Sequence, residues 1–408
     1  PDVNVRGDIH CLLVGDPACI TGDSRVVLGN GAMVPIRELG ESHLQPINIP
    51  LLVGKGYRRG LAKVFHVYEN QPIIEVRTES GRTLKGTYNQ PLLTIQTDGS
   101  GNVKYVWKRM DELKVGDRVR VAWWIPCTIT SEVPLNWQYA DRRLGPKRKA
   151  KLPKKLSPDV AALLGLWLND SCIRKHKVVT TVAEPYLDLV PKIVGLVKKV
   201  FNVEAKVNMR VSKKGTRMAV VAVHDVDVAH NMLKLKDRMV PPEIFLSGNK
   251  VVSSFLSWVF EADGCCFCNG RGRTAIQLKR CVGGGQFLRD VQLLLTRFGI
   301  RSRINGNTLY IRQANSIEKF HKHVGFQSEK KRSALEKAVA YVKTRKKRRR
   351  ESLFERIAEI RHLPPEVVYD VEVPGYGQFV ANGFLVHNTA KSQLLRYVAS
   401  VAPRGLYT

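Results

Sequence analysis

Residues 1–18 close on Leu12-Leu13-Val14-Gly15-Asp16-Pro17-Ala18, and residues 389–408 open on Thr389-Ala390-Lys391-Ser392-Gln393-Leu394-Leu395. Set end to end, these segments read as an apolar strand, a loop of pattern G-x-x-x-x-A-K-S and the start of a helix. That is the order in which backbone N–H groups and a lysine cradle phosphates. Neither half makes such a loop alone. Everything between Ala18 and Thr389 therefore interrupts it, and the two ends of the interposed segment must be held close if the halves are to be joined. Cys19 stands at one border and His387-Asn388 at the other.

The border residues have a chemistry of their own. The Cys19 thiol is a good nucleophile near neutral pH, even as a small thiolate fraction, and can attack the carbonyl of Ala18 to turn an amide into a thioester. The Thr389 hydroxyl can then accept the acyl group. Asn388 can close its side-chain nitrogen on its own carbonyl, cutting the chain, while His387 polarises that carbonyl or moves a proton. An O-to-N acyl shift leaves an ordinary Ala18–Thr389 peptide bond. These steps call for no cofactor.

The borders resemble an intein. Cys19-Ile20-Thr21-Gly22-Asp23-Ser24 is similar to the family's opening block, and Val368-Tyr369-Asp370-Val371-Glu372-Val373 with Phe379-Val380-Ala381-Asn382-Gly383-Phe384-Leu385-Val386-His387-Asn388 to its closing blocks. The resemblance implies an all-β, horseshoe-like Hint splicing domain and gives Asp370 an acid/base role in coupling thioester formation to transfer. It also implies a Thr-x-x-His motif at the first junction. Here that stretch is Thr87-Tyr88-Asn89-Gln90. Gln90 can donate a hydrogen bond but cannot take up and release a proton as imidazole does, so a slowed first acyl shift is expected. Gly377 stands where many members carry another histidine.

Short β-rich runs at 24–28, 63–68, 72–78, 83–86 and 118–122, punctuated by Gly29-Asn30-Gly31, Asp98-Gly99 and Gly116-Asp117, predict β structure over 19–140, and the pattern returns over 367–388. Basic runs at 141–155 and 343–350 bracket a block of mixed helices and strands. Within it, Leu163-Leu164-Gly165-Leu166-Trp167-Leu168-Asn169-Asp170-Ser171 and Leu256-Ser257-Trp258-Val259-Phe260-Glu261-Ala262-Asp263-Gly264 resemble the paired LAGLIDADG motifs of homing endonucleases, and 291–300 the helix and turn that follow the second. Ser157-Pro158 predicts the N-terminus of the first motif helix. The resemblance implies two helices packed side by side, with Asp170 and Asp263 meeting at their ends as ligands for Mg²⁺ or Mn²⁺. Lys279 is a candidate catalytic lysine beside Arg280. Trp258 stands where a glycine normally permits close approach, and is expected to push the helices apart or force repacking.

The fold class expected is thus an all-β Hint domain (19–140 and 345–388) split by an α/β LAGLIDADG domain (141–344), between short flanks at 1–18 and 389–408. Both flanks resemble an MCM replicative helicase. That resemblance implies that Gly15, Lys391 and Ser392 serve ATP and Mg²⁺ only after joining, in a host expected to be hexameric.

A net charge of +30 favours phosphate backbones, so double-stranded DNA is the expected partner of a monomeric insert, with single-stranded DNA a modulator. With no long apolar run and no leader-like start, an intracellular, cytoplasmic and archaeal setting is expected, with reduced cysteines and no membrane partner. Cys265-Cys266-Phe267-Cys268 lacks a second ligand pair at zinc-finger spacing. The rival reading is a DNA-binding homing endonuclease with impaired splicing.

Overall fold

The computed structural model describes residues 17–54, 58–97, 99, 102–141, 149–212, 215–235, 239–268, 274–280, 284–344 and 352–388. Gly15, Thr389, Lys391 and Ser392, residues 142–148 of the first basic run and 345–350 of the second lie outside the described residues.

Two long strands, Arg58–Thr78 and Phe354–Glu372, organise the β part. They run antiparallel, from Ile357 opposite Thr78 to Glu372 opposite Val64, with register shifts that bend the ribbon. Bending allows each strand to serve two stretches of sheet. Val368, Asp370 and Glu372 alternate on one face and pair with Tyr68, His66 and Val64. Apolar residues on the strands, Phe65, Val76, Ile357 and Val371 among them, bury into a core with Ile20, Val26, Leu84, Phe379 and Phe384.

This topology gathers the chain borders. Ile20 pairs with both Tyr369 and Gly86. The closing hairpin Gln378–Ala381 and Phe384–His387 turns at Asn382-Gly383, both with positive φ, the backbone that an Asn-Gly hairpin turn requires. Its second strand pairs with Leu92 of Pro91–Thr97. That strand, its partner Val103–Arg109 and the strand Gln45–Val53 go beyond the expected runs. Their proline and charged residues mask the alternation.

Among the described residues, the α-helices lie between residues 158 and 344. Pro158–Trp167 starts as expected, with Ser157 Oγ accepting from Val160 N at 3.3 Å. It packs on Asn249–Asp263. The expectation for Trp258 is corrected: the helices stay close because the small residue is on the partner helix. A Cβ at Gly165 would lie 2.5 Å from Phe255 O and 3.2 Å from Trp258 Cβ. Each motif helix leads into a four-stranded antiparallel sheet, one over 171–223 and the other over 264–311. The helix Gly284–Leu295 and the left-handed Gly299 fall where the expected helix and turn of 291–300 lie.

The helical part rests against the β part through polar anchors. Arg25 stacks 3.7 Å over the Phe245 ring and reaches Asp290 at 3.6 Å. Gln292 Nε2 and Ile304 N both donate to Ser80 O at 2.9 Å.

Candidate active site

Cys19 is fully buried at the end of the first short strand. The strand Thr83–Thr87 brings a hydroxyl to it: Cys19 N–H donates to Thr87 Oγ1 at 3.0 Å. The Thr87 hydroxyl proton is directed at Pro17 O, 2.7 Å away, with Asn89 Oδ1 at 2.9 Å. Thr87 N–H in turn donates to Cys19 O at 2.9 Å. Thr87 thus grips the backbone on both sides of the Ala18–Cys19 bond, and its Oγ1 lies on the nitrogen that must leave.

The other border is tied down as firmly. His387 Nδ1 is 2.6 Å from Asn388 O, the carbonyl oxygen of the border asparagine. The His387 ring is held edge-on by Trp107, with centroids 4.8 Å apart. Asn388 N–H donates to Gly377 O at 3.0 Å. The orientation that satisfies the Asn388 carboxamide has its nitrogen donating to Gly377 O at 2.6 Å and its oxygen accepting from Val373 N–H at 3.0 Å. Gly377 has φ +61°, and a Cβ there would sit 3.2 Å from His387 Nε2. The left-handed backbone and this tight approach both favour glycine here.

Gln90, expected at the first junction, is 1% exposed and spans toward the second: its amide nitrogen donates to His387 O at 2.8 Å. Asp370 is buried on the face shared by Tyr68, His66 and Glu372. The Tyr68 phenol is pushed up to about 12, first by burial and then by the negative charges of Cys19, Asp370 and Glu372. That ordering puts the Asp370 carboxylate and the Cys19 sulfur in one electrostatic neighbourhood. His66 Nε2 bridges to Glu372 Oε1 at 3.0 Å behind it. The structure therefore brings together Cys19, Thr87, Gln90, Asp370, His387 and Asn388. The His66–Glu372 pair was not singled out from sequence; the alternation of 64–68 against 368–372 was the available signal.

A second cluster lies at the ends of the motif helices. Asp263 ends one helix, and Asp170 continues the last turn of the other, its N–H donating to Leu166 O at 2.9 Å. The Asp170 carboxyl is raised to about 6, first by desolvation and then by the charge of Asp263, against the lowering effect of Lys331. Lys279 is exposed at the end of the strand Thr274–Lys279. The next residue, Arg280, turns inward instead, stacking 3.6 Å over Phe287 and bonding Asn169 Oδ1. Strand alternation is the physical reason: 279 and 280 point to opposite sides.

A cation close enough to act on Asp170 is Lys331, on the helix Glu329–Thr344. Its ammonium lies 3.6 Å from Glu261 Oε1, and burial holds its pKa below the usual lysine range. Glu261 accepts from Gln327 N at 2.7 Å, Ser328 N at 3.0 Å and Ser328 Oγ at 2.7 Å, anchoring the start of that helix to the second motif helix. A carboxylate on free N–H groups at a helix start is favoured by the helix dipole. No sequence spacing marks Lys331, which is distant from both motifs. Among the described residues, no group of three or more His, Cys, Asp or Glu side chains is placed to hold a metal. No helix among them is long and apolar enough to cross a membrane.

Curated relatives match most of this chain. The replicative DNA helicase DnaB of Rhodothermus marinus is 24% identical over 355 residues, 81% of this chain and 34% of the relative. The replication factor C small subunit of Pyrococcus horikoshii is 26% identical over 348 residues, 82% and 35% respectively. The chain thus spans about a third of the length of these relatives. Among solved structures, a variant of the Ssp DnaB mini-intein aligns with 91% of this chain and 98% of its own, at 13% identity and TM-score 0.28. The endonuclease I-DmoI in complex with DNA and Ca aligns with 45% of this chain and 98% of its own, at 20% identity and TM-score 0.34. The model of the intein splicing domain matches residues 26–388. That match takes in the strands that gather both borders and runs to the asparagine beside His387, and on this ground the chain belongs to the intein splicing domain family.

Proposed function

We propose that residues 19–388 excise themselves and join Ala18 to Thr389. The observation that carries this reading is that both borders lie on the turn from Thr87 to Gln90: Cys19 N–H donates to Thr87 Oγ1 at 3.0 Å, and Gln90 Nε2 donates to His387 O at 2.8 Å. Cys19 Sγ attacks the Ala18 carbonyl carbon, the Ala18–Cys19 C–N bond breaks, and the freed amine takes up the thiol's proton. Thr87 holds the leaving nitrogen in place, and Asp370 is the acid/base that joins this step to transfer onto Thr389. Asn388 Nδ2 then attacks its own carbonyl carbon, with His387 polarising the oxygen. The C–N bond to Thr389 breaks, and an acyl shift leaves a peptide bond.

Joining restores the loop Gly15 to Ser392 of an MCM-type helicase, an ATP-binding site that does not exist in the interrupted chain. The matched relatives, named as DnaB helicase, replication factor C and gyrase, share most of this chain although their own names differ. This favours reading the shared part as an insert carried by different hosts.

The helical block is read as a LAGLIDADG endonuclease that binds duplex DNA. The paired motif helices and the two four-stranded sheets support it, as does the +30 charge. The donor set at the helix ends suits a hard divalent cation: both side chains are oxygen ligands, and Asp170 is raised first by desolvation and then by the charge of Asp263, a cost that a cation would relieve. Asp170 and Asp263 would hold Mg²⁺ or Mn²⁺, whose chemistry there is to activate water and stabilise a leaving oxygen. Lys331 and Arg280 orient and neutralise around them.

Mass spectrometry of the purified chain, incubated with and without a thiol, tests the reading. The expected products are the ligated flanks and free 19–388, and Cys19→Ala must abolish ligation. A chain that cuts duplex DNA but yields no ligated flank in any condition sustains the rival reading of an endonuclease with impaired splicing.

A further inference from the structure

Gln90 follows Thr87-Tyr88-Asn89 in a turn closed by Gln90 N donating to Thr87 O at 3.0 Å. Its own carbonyl accepts from Met110 N at 3.0 Å, so the residue is fixed at both backbone ends. The two N–H groups of its carboxamide go to His387 O at 2.8 Å and Pro91 O at 3.3 Å. The His387–Asn388 peptide plane is thereby held on both edges: its carbonyl by Gln90, and its N–H by Gly377 O at 3.0 Å.

Succinimide closure needs Asn388 Nδ2 brought over its own carbonyl carbon in one orientation. With the preceding plane fixed, the search is confined to rotation about the Asn388 bonds themselves, which is where orientation lowers a barrier. A glutamine suits this task. Its amide donates at any pH and has no competing protonation state, whereas imidazole changes its donors as it titrates.

We propose that Gln90 is a positioning residue for cleavage between Asn388 and Thr389, acting through the His387 carbonyl. The turn from Thr87 to Gln90 then serves both junctions. Thr87 holds the nitrogen released in the first step, and Gln90 holds the plane before the asparagine that closes in the last. In that last step the Asn388 Nδ2–C bond forms, the Asn388–Thr389 bond breaks, Nδ2 gives up a proton and the leaving nitrogen gains one. The inference rests on the splicing reading of Asn388.

The experiment uses the full chain with Cys19→Ala, so that cleavage occurs only at Asn388–Thr389, and follows release of residues 389–408 by mass spectrometry. Gln90→Met keeps the volume and removes the donor; cleavage is expected to fall roughly ten-fold, the scale of one buried hydrogen bond. Gln90→Glu donates only when protonated, so its deficit relative to Gln90 should be largest near about pH 8 and shrink toward about pH 5. A merely structural loss has no such profile. In an Asn388→Ala chain, thiol-induced cleavage at Ala18–Cys19 should suffer less from Gln90→Met, by about five-fold. Parent-like C-terminal cleavage by Gln90→Met, a pH-independent deficit in Gln90→Glu, or equal losses at both junctions would each overturn the inference. If the Cys19→Ala chain with Gln90 intact fails to cleave at all, the reading of Asn388 falls, and the inference with it. If it cleaves and Gln90→Met matches it, only the inference falls.

Discussion

Thr87 shows how much one side chain does at the first junction. Its oxygen accepts from Cys19 N–H while its proton faces Pro17 O, so one hydroxyl fixes the chain on both sides of Ala18–Cys19. Thr87→Val keeps the β-branched shape and removes both bonds. Thiol-induced cleavage at Ala18–Cys19 should slow by at least roughly ten-fold, because a buried N–H is left without its acceptor. Asparagine cyclisation, measured as release of 389–408, should change far less. The residue types at the borders were legible because the chemistry demands them in fixed order along the chain. The partner of Gln90 was not, since His387 lies 297 positions away and only the sheet brings the two together. The same holds for Lys279 and Arg280: spacing marks both, and strand alternation decides which one turns inward.

At the scale of elements, the paired motif helices depend on Gly165 more than on the position of the tryptophan. A Cβ at 165 would lie 2.5 Å from a backbone oxygen of the facing helix, which cannot move aside without parting the pair. Gly165→Ala should cost roughly 3 kcal/mol in denaturant unfolding, a typical penalty for overpacking. The helix Gly284–Leu295 carries a different device. Burial raises Asp290 from 3.8 to about 6, in spite of Arg25, Gln286 and Arg289. The folded chain therefore keeps this proton where the unfolded chain has lost it. The associated stability is complete below about pH 4 and is lost as pH rises through about 6, with a ceiling of roughly 3 kcal/mol. Asp290→Asn should flatten the fall in urea midpoint over that window. A mutant chain whose stability falls as steeply as the parent's would refute the assignment. The strands at 91–97 and 103–109 escaped the sequence because the first opens on a proline and pairs with Val386 from the far end of the chain, while charged residues break up the second.

Over the whole molecule, charge and connectivity matter more than any contact. A net +30 predicts duplex DNA binding dominated by phosphate contacts. Affinity should fall about a thousand-fold or more between roughly 50 and 200 mM salt, read by fluorescence anisotropy, for a footprint of several phosphates. A flat salt response would remove the electrostatic case for DNA. The helix Glu329–Thr344 is pinned by Glu261 to a motif helix through Ser328 N at 3.0 Å.

Order along the chain is enough to carry the reading that residues 19–388 interrupt a phosphate loop, with Cys19 and Asn388 at its borders, and to show that two apolar motifs end in aspartates. Those facts are local, and chemistry reads them directly. The folded structure alone decided that the borders meet, that Gln90 reaches the second junction, that Gly165 makes room beside Trp258, and that Lys331 is a cation beside Asp170. Each of these is a contact between residues far apart in sequence. Side-chain direction on a bent sheet or a crossed helix pair is set by the packing of the whole, which no local pattern records.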